Sequence, residues 1–249
     1  MFESLRRKAN VGSIIPHRID YDKIFAPIVG LEAAKRVVIR SLDTPNRTVT
    51  HLVGPPASGK SLIARLICDN LDGWYYFDCS GNSSSPGIID FLEDHRNAKG
   101  VCFDEIDKMK KNDQAMLYNF MEEGGHIYRS LKKQQIHFSM PECKVLATSN
   151  STTKYAKPFL SRFLTLRIPA YTYDEFLMIS ENLLARYRIP SQTARDVGDL
   201  IWNVLESRDV RMINHIGQRL NPKDSPSEME QFAKDLLELS MQKEGVDYN

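Results

Sequence analysis

An α/β fold, with a parallel sheet flanked by helices and a small all-helical lid after it, is what this 249-residue sequence predicts. Three observations predict it. Short apolar or β-branched runs at 48–53, 73–78, 99–104, 143–149 and 163–168 alternate with helical stretches, as crossover-connected parallel strands require. A glycine-bearing loop, GPPASGKS, joins the first run directly to an amphipathic helix. After Pro169 the strand signals stop and only helical periodicity follows. The expected division is a core over 1–169, a lid over 170–220, and a linker with a terminal helix over 221–249.

Each element follows from its own pattern. TVTHLV is β-branched, and the helix after the loop places Ile63, Ile67 and Leu71 on one face. Helices at 86–97 and 113–123 fit crossovers, the second turning Met116, Leu117, Phe120 and Met121 inward. A hairpin at about 124–140 has Ile127 and Tyr128 in one arm, Ile136 and Phe138 in the other, and LKKQ as its turn. Thr172 and Glu175 form a capping box that opens a helix through Tyr187. Amphipathic helices follow at 192–206 and 209–220; NPKDSPSE reads as a linker, and 227–243 as a last helix with charged faces.

Composition narrows the function classes. Thirty-three basic against 32 acidic side chains leave a net charge of +1, so no global field attracts nucleic acid or membrane and anion binding must be local. The four cysteines, Cys68, Cys79, Cys102 and Cys143, lack a CxxC pair, which favours reduced buried thiols over a disulfide framework or zinc site. MFESLRRKAN has no apolar signal core and no run is long enough to span a bilayer, so a cytoplasmic protein without membrane association is expected.

The loop from Gly54 through Pro55, Pro56, Ala57, Ser58, Gly59, Lys60 and Ser61 to Leu62 fits G-x-x-x-x-G-K-[ST]. A strand that turns sharply into a helix aims backbone N–H groups and a helix N-terminus at a polyphosphate. Gly59 permits close approach, Lys60 neutralises β/γ oxygens, and the Ser61 hydroxyl reaches Mg²⁺. Downstream, the apolar run VCF ends in Asp104-Glu105 at the C-terminal edge of a buried strand. Asp104 is expected to hold Mg²⁺ with Ser61, and Glu105 to orient and deprotonate the attacking water. Asp107 and the lysines after it read as solvated surface.

GPPASGKS, FDEID, KVLATSN at 144–150, FLSRF at 159–163 and SRDVR at 207–211 occur in the order of the AAA+ ATPases, which the chain resembles over roughly 20–220. The resemblance implies a P-loop NTPase (AAA+) core that hydrolyses ATP with Mg²⁺. It makes Asn150 the sensor-1 residue that positions water, Arg162 the arginine finger, and Arg211 the sensor-2 arginine of the lid. Arg208, three residues earlier on the same helical side, rivals Arg211 and is not separated from it by sequence. FAPIVGLEAAK resembles the segment whose apolar residues, here Ile28 and Val29, line the adenine pocket. A finger acting in trans implies a homo-oligomer, with a hexameric ring as one form.

Within that family the layout is similar to the Holliday-junction branch-migration motors (RuvB-type), which carry a hairpin ahead of the sensor-1 strand. The MoxR-type chaperones and MCM replicative helicases share it. The reading is therefore an ATP-hydrolysing motor, ring-forming and acting on DNA in branch-migration or helicase fashion, with Arg129, Lys132 and Lys133 of the hairpin as the DNA contacts. The alternative is a MoxR-type protein-remodelling ATPase acting on a protein partner through Tyr128, Ile127 and Leu131. The loop CSGNSSSPG lacks the aromatic residue with which protein-threading branches grip polypeptide. The roughly thirty residues after the lid are too few for the winged helix of the branch-migration motors. A separate protein partner that supplies DNA binding is one consequence.

Overall fold

A computed structural model describes residues 19–81, 84–131 and 134–241. Its strands are β1 (Val49–Val53), β2 (Trp74–Asp78), β3 (Gly100–Asp104), β4 (His126–Leu131), β5 (Gln134–Ser139), β6 (Lys144–Ser149) and β7 (Leu164–Arg167). The helices of the first part are α1 (Tyr21–Phe25), α2 (Glu32–Asp43), α3 (Lys60–Asn70), α4 (Ser85–Asp94), α5 (Lys111–Met121) and α6 (Lys157–Leu160). Those of the second part are α7 (Tyr173–Leu184), α8 (Ser191–Asn203), α9 (Val210–Gly217) and α10 (Pro226–Met241).

The five predicted strands form one parallel sheet in the order β2-β3-β6-β1-β7. Both faces are covered, which is why β1, β3 and β6 are buried almost throughout. Alternation assigns each residue to a face. Val101 and Phe103 of β3, with Val145 and Ala147 of β6, pack under α4 and α5. Cys102 and Leu146 face the other way, against Ile63 and Ile67 of α3 and Val38 of α2. The thiols of Cys102 and Cys143 are free and buried, as the spacing predicts.

The predicted helices differ from the observed ones mainly at their ends. α4 stops at Asp94 rather than 97 because the chain turns at once, Ala98 N–H donating to His95 O at 2.9 Å, so that Gly100 enters the sheet. α7 opens on the expected capping box: Thr172 Oγ1 accepts from the Glu175 amide at 3.3 Å, and Glu175 Oε2 accepts from the Thr172 amide at 2.8 Å.

The lid has its own core, with Phe176, Leu184, Ala194, Val197, Ile201, Ile213 and Ile216 each 1% exposed or less. α10 belongs to it. Met229 and Ala233 are buried in the same cluster, one turn apart on the helix, so this segment is structurally part of the lid rather than an appendage beyond it. None of the described helices is long and apolar enough to cross a membrane.

β4 and β5 make a separate antiparallel ribbon, with Ile127 opposite Phe138 and Tyr128 opposite His137. Ile127 and Phe138 enter the core beside α5, while Tyr128 is 55% exposed on the outer side. Period-two alternation thus produces one anchored face and one free face.

Candidate active site

Gly54 extends β1, its amide donating to Ser149 O at 3.3 Å. A Cβ there would lie 2.1 Å from the Ile168 carbonyl oxygen, so only glycine fits. Five residues on, Gly59 has φ 86° as the N-cap of α3, a left-handed turn that points the first amides of the helix into the loop's concavity. Ala57 also takes positive φ, 58°, which a side chain tolerates at some strain. Lys60 is 5% exposed; its ammonium donates to Gly54 O at 2.9 Å, Pro55 O at 2.6 Å and Ser58 Oγ at 3.2 Å. Burial lowers its pKa, opposed by the negative charge of Asp104, Asp107 and Glu105. The loop thus holds a desolvated cation ringed by neutral oxygens, a setting in which an anionic phosphate is the better partner.

The carboxylates stand across from it. Asp104, 4% exposed at the end of β3, accepts from Ser61 Oγ at 2.9 Å, from the Tyr76 hydroxyl at 2.5 Å and from Thr148 Oγ1. Thr148 Oγ1 also accepts from the Glu105 amide at 3.0 Å, so one hydroxyl orients both acidic positions. Glu105 itself sits at φ 55°. Burial and the bond to Asp104 raise the Tyr76 pKa, keeping the phenol a donor, and the Arg65 guanidinium lies 4.2 Å above its ring. Ser61 and Asp104, joined by a hydrogen bond, supply the hard oxygen donors that Mg²⁺ takes, so the residues fit that ion.

Core and lid enclose a cavity of about 590 Å³, within the range of small-molecule sites. Its polar end is formed by 56–62 of the loop with Asp104, Glu105 and Asn150; its apolar end by Val29, Tyr171, Ile179, Leu183 and Val210. Gly54 and Pro55 stand behind it and contribute carbonyls to Lys60. Ile28 departs from expectation: it is 3% exposed and packs in the core with Phe25 and Val38. Adjacent side chains of this segment diverge, so only Val29 of the pair reaches the cavity. Asp107, expected at the surface, is 8% exposed, and its Oδ1 has no hydrogen-bond partner among the described residues. It lies in a 3-10 turn, Ile106–Lys108, that follows β3.

Arg211 lines the cavity, its guanidinium paired with Asp209 at 2.7 Å. Arg208 lies 3.4 Å over the Trp202 ring, donates to Trp202 O at 3.0 Å and is not among the lining residues. Arg65, Asn182 and Arg186 also line it; residues 179, 182, 183 and 186 form one face of α7 and the turn after it. Sequence reading missed Tyr76, Thr148, Tyr171 and Arg186. Thr148 alone left a signal, being two residues before Asn150 near the C-terminal end of the β6 run.

Arg162 lies outside the cavity lining, bound within the chain to Glu122 Oε1 at 2.5 Å. Of the hairpin cations, Arg129 occupies β4 opposite Ile136, and Lys132 and Lys133 lie outside the described residues. The free face of the ribbon is a ring stack: Tyr128 and His137 are 4.6 Å apart and within 9° of parallel, with His126 5.6 Å from His137.

Residues 50–169 match the family described as "ATPase family associated with various cellular activities (AAA)". Among curated proteins, the Lon protease of Xanthomonas oryzae pv. oryzae is 26% identical over 203 residues, 70% of this chain. The chain spans 23% of that relative's length. Among solved structures, a mutant form of RuvB from Thermotoga maritima superposes with a TM-score of 0.64 at 16% identity, over 88% of this chain and 74% of that one. A second mutant form gives 0.62 at 15%, over 84% and 70%. At such identity the likeness is one of fold.

Proposed function

From a chain whose residues 50–169 match the AAA ATPase family and whose fold is like that of RuvB, we propose that it is a ring-forming motor that hydrolyses ATP and acts on DNA through its β4–β5 hairpin. The observation that carries this reading is the pairing of a complete phosphate site with an anchored ribbon whose free face is a stack of rings. Exposed rings beside basic residues suit splayed bases and their backbone, and Arg129, Lys132 and Lys133 share that segment.

In the proposed reaction Lys60 and the α3 amides bind the phosphates, and Val29 and Tyr171 pack against the base. Ser61 and Asp104 would hold Mg²⁺, which when bound would supply neutralisation of the phosphate charge. Glu105 accepts the proton of the attacking water, Asn150 orients that water, and Arg211 closes from the lid. Arg162, turned away from its own cavity, serves the neighbouring subunit.

A protein substrate is the second reading, supported by the 26% identity to a Lon protease. ATPase rates with and without single-stranded or branched DNA across a salt series separate the two. The DNA reading predicts stimulation that weakens steeply as salt rises. Equal rates at the lowest salt overturn it and favour a protein partner.

A further inference from the structure

Arg162 is held in place by three different groups of its own subunit. Its guanidinium lies 3.5 Å above the Tyr118 ring, donates to Glu122 Oε1 at 2.5 Å, and donates to the Pro158 carbonyl. Its Nε is buried with no hydrogen-bond partner among the described residues. Only 20% of the side chain is exposed, against 50% for Glu122. An arginine that must reach a neighbour's phosphate is here charge-compensated, stacked and withdrawn.

Glu122 occupies a particular place in the fold. It is the C-cap of α5 and the first residue of the turn into β4. Its carbonyl accepts from the Gly125 amide at 2.9 Å and from Arg47 at 3.0 Å. Arg47 also donates to Phe120 O at 2.5 Å and Met121 O at 3.3 Å, fixing the otherwise open carbonyls at the end of α5. Between Glu122 and β4 the chain passes Gly124 and Gly125, the latter at φ 58°. The side chain that holds Arg162 thus stands at the joint between a fixed helix end and the hairpin.

Resting on the reading of Arg162 as a trans-acting finger, we propose that Glu122 is its positioning residue, a latch that withdraws the finger until the hairpin is engaged. Both halves of the latch are local. The Glu122 carboxylate and Tyr118 ring stabilise the withdrawn guanidinium by a charge-assisted hydrogen bond and a cation–π contact. A load on β4 and β5 acts on the turn that carries Glu122, so tilting the ribbon shifts the carboxylate from the arginine. The finger then has no acidic partner on its own subunit to leave.

The test is a double-mutant cycle on steady-state ATPase, at protein concentrations where the rate per subunit has become constant. It compares the unmodified chain, Glu122→Gln, Arg162→Ala and the double variant. Glu122→Gln keeps the shape of the side chain and removes its charge. The latch predicts a basal kcat raised about threefold to tenfold at unchanged KM, the range of a partly exposed charge-assisted bond. It also predicts that this increase is absent when Arg162 is alanine, and that Glu122→Asp restores part of the low basal rate. An unchanged basal rate in Glu122→Gln, or a rise that persists in the double variant, overturns the latch while the finger stands. An Arg162→Ala protein with undiminished turnover overturns the finger reading and the latch with it.

Discussion

Three hydroxyls converge on Asp104, and Tyr76 reaches it from a neighbouring strand at 2.5 Å. A hydrogen-bonded partner of a metal ligand tunes its orientation and basicity. Tyr76→Phe is therefore expected to raise the Mg²⁺ concentration for half-maximal ATPase by about tenfold, with kcat recovering at saturating Mg²⁺. An unchanged Mg²⁺ dependence would show that the phenol does no positioning. His51 offers a second test at this scale. It is fully buried in β1 with Nε2 2.8 Å from Ser149 Oγ, and burial lowers its pKa from 6.5 to about 4. The unfolded chain takes up this proton first as pH falls. The stabilisation from keeping His51 neutral is complete above pH 6.5 and is lost progressively towards pH 4, by up to about 3 kcal/mol. Denaturation curves of the protein and of His51→Gln should differ in slope across that window; parallel slopes contradict it. Lys60, Ser61, Asp104 and Glu105 were legible in the sequence because each belongs to a contiguous run whose chemistry is local. Tyr76 was not, because its role depends on β2 pairing in register with β3, where Asp78 lies opposite Asp104. Ile28 was misplaced because a short irregular segment has no period to say which neighbour turns inward.

At the scale of elements, strands and helices were read from alternation and capping, and those signals are strong where burial enforces them. The hairpin was read from two apolar arms around a polar turn, and its register follows from Ile127 and Phe138 filling the core beside α5. The opposite face has no such constraint, so the stacking of Tyr128 on His137 could not be anticipated from apolar pattern alone. α10 was expected as a helix, but its seat on the lid was not legible for a related reason. Its charged faces dominate the composition, whereas Met229 and Ala233, four residues apart, are enough to seat it on the lid. If the ring face contacts DNA, Tyr128→Ala should remove most of the DNA-dependent increment in ATPase, since stacking contributes about 1–3 kcal/mol per base. Full retention of that increment would move the contact to another part of the hairpin.

Across the whole molecule, the proposed finger and the proposed sensor-2 arginine are both tied to carboxylates of the same chain, Arg162 to Glu122 and Arg211 to Asp209. Their pKa values are raised chiefly by those bonds, so each guanidinium is stabilised where it is. One lies on the wall of its own cavity and the other does not. The proposed site shared between subunits calls for such a division, with Arg211 serving its own nucleotide and Arg162 that of a neighbour. The most direct measurement mixes Lys60→Ala with Arg162→Ala subunits under conditions of subunit exchange. Each variant alone should be nearly inactive. Random equimolar mixing places an intact Lys60 beside an intact neighbouring Arg162 at about a quarter of interfaces, and about that share of the full ATPase rate should return. No recovery in exchanging mixtures would contradict a shared active site.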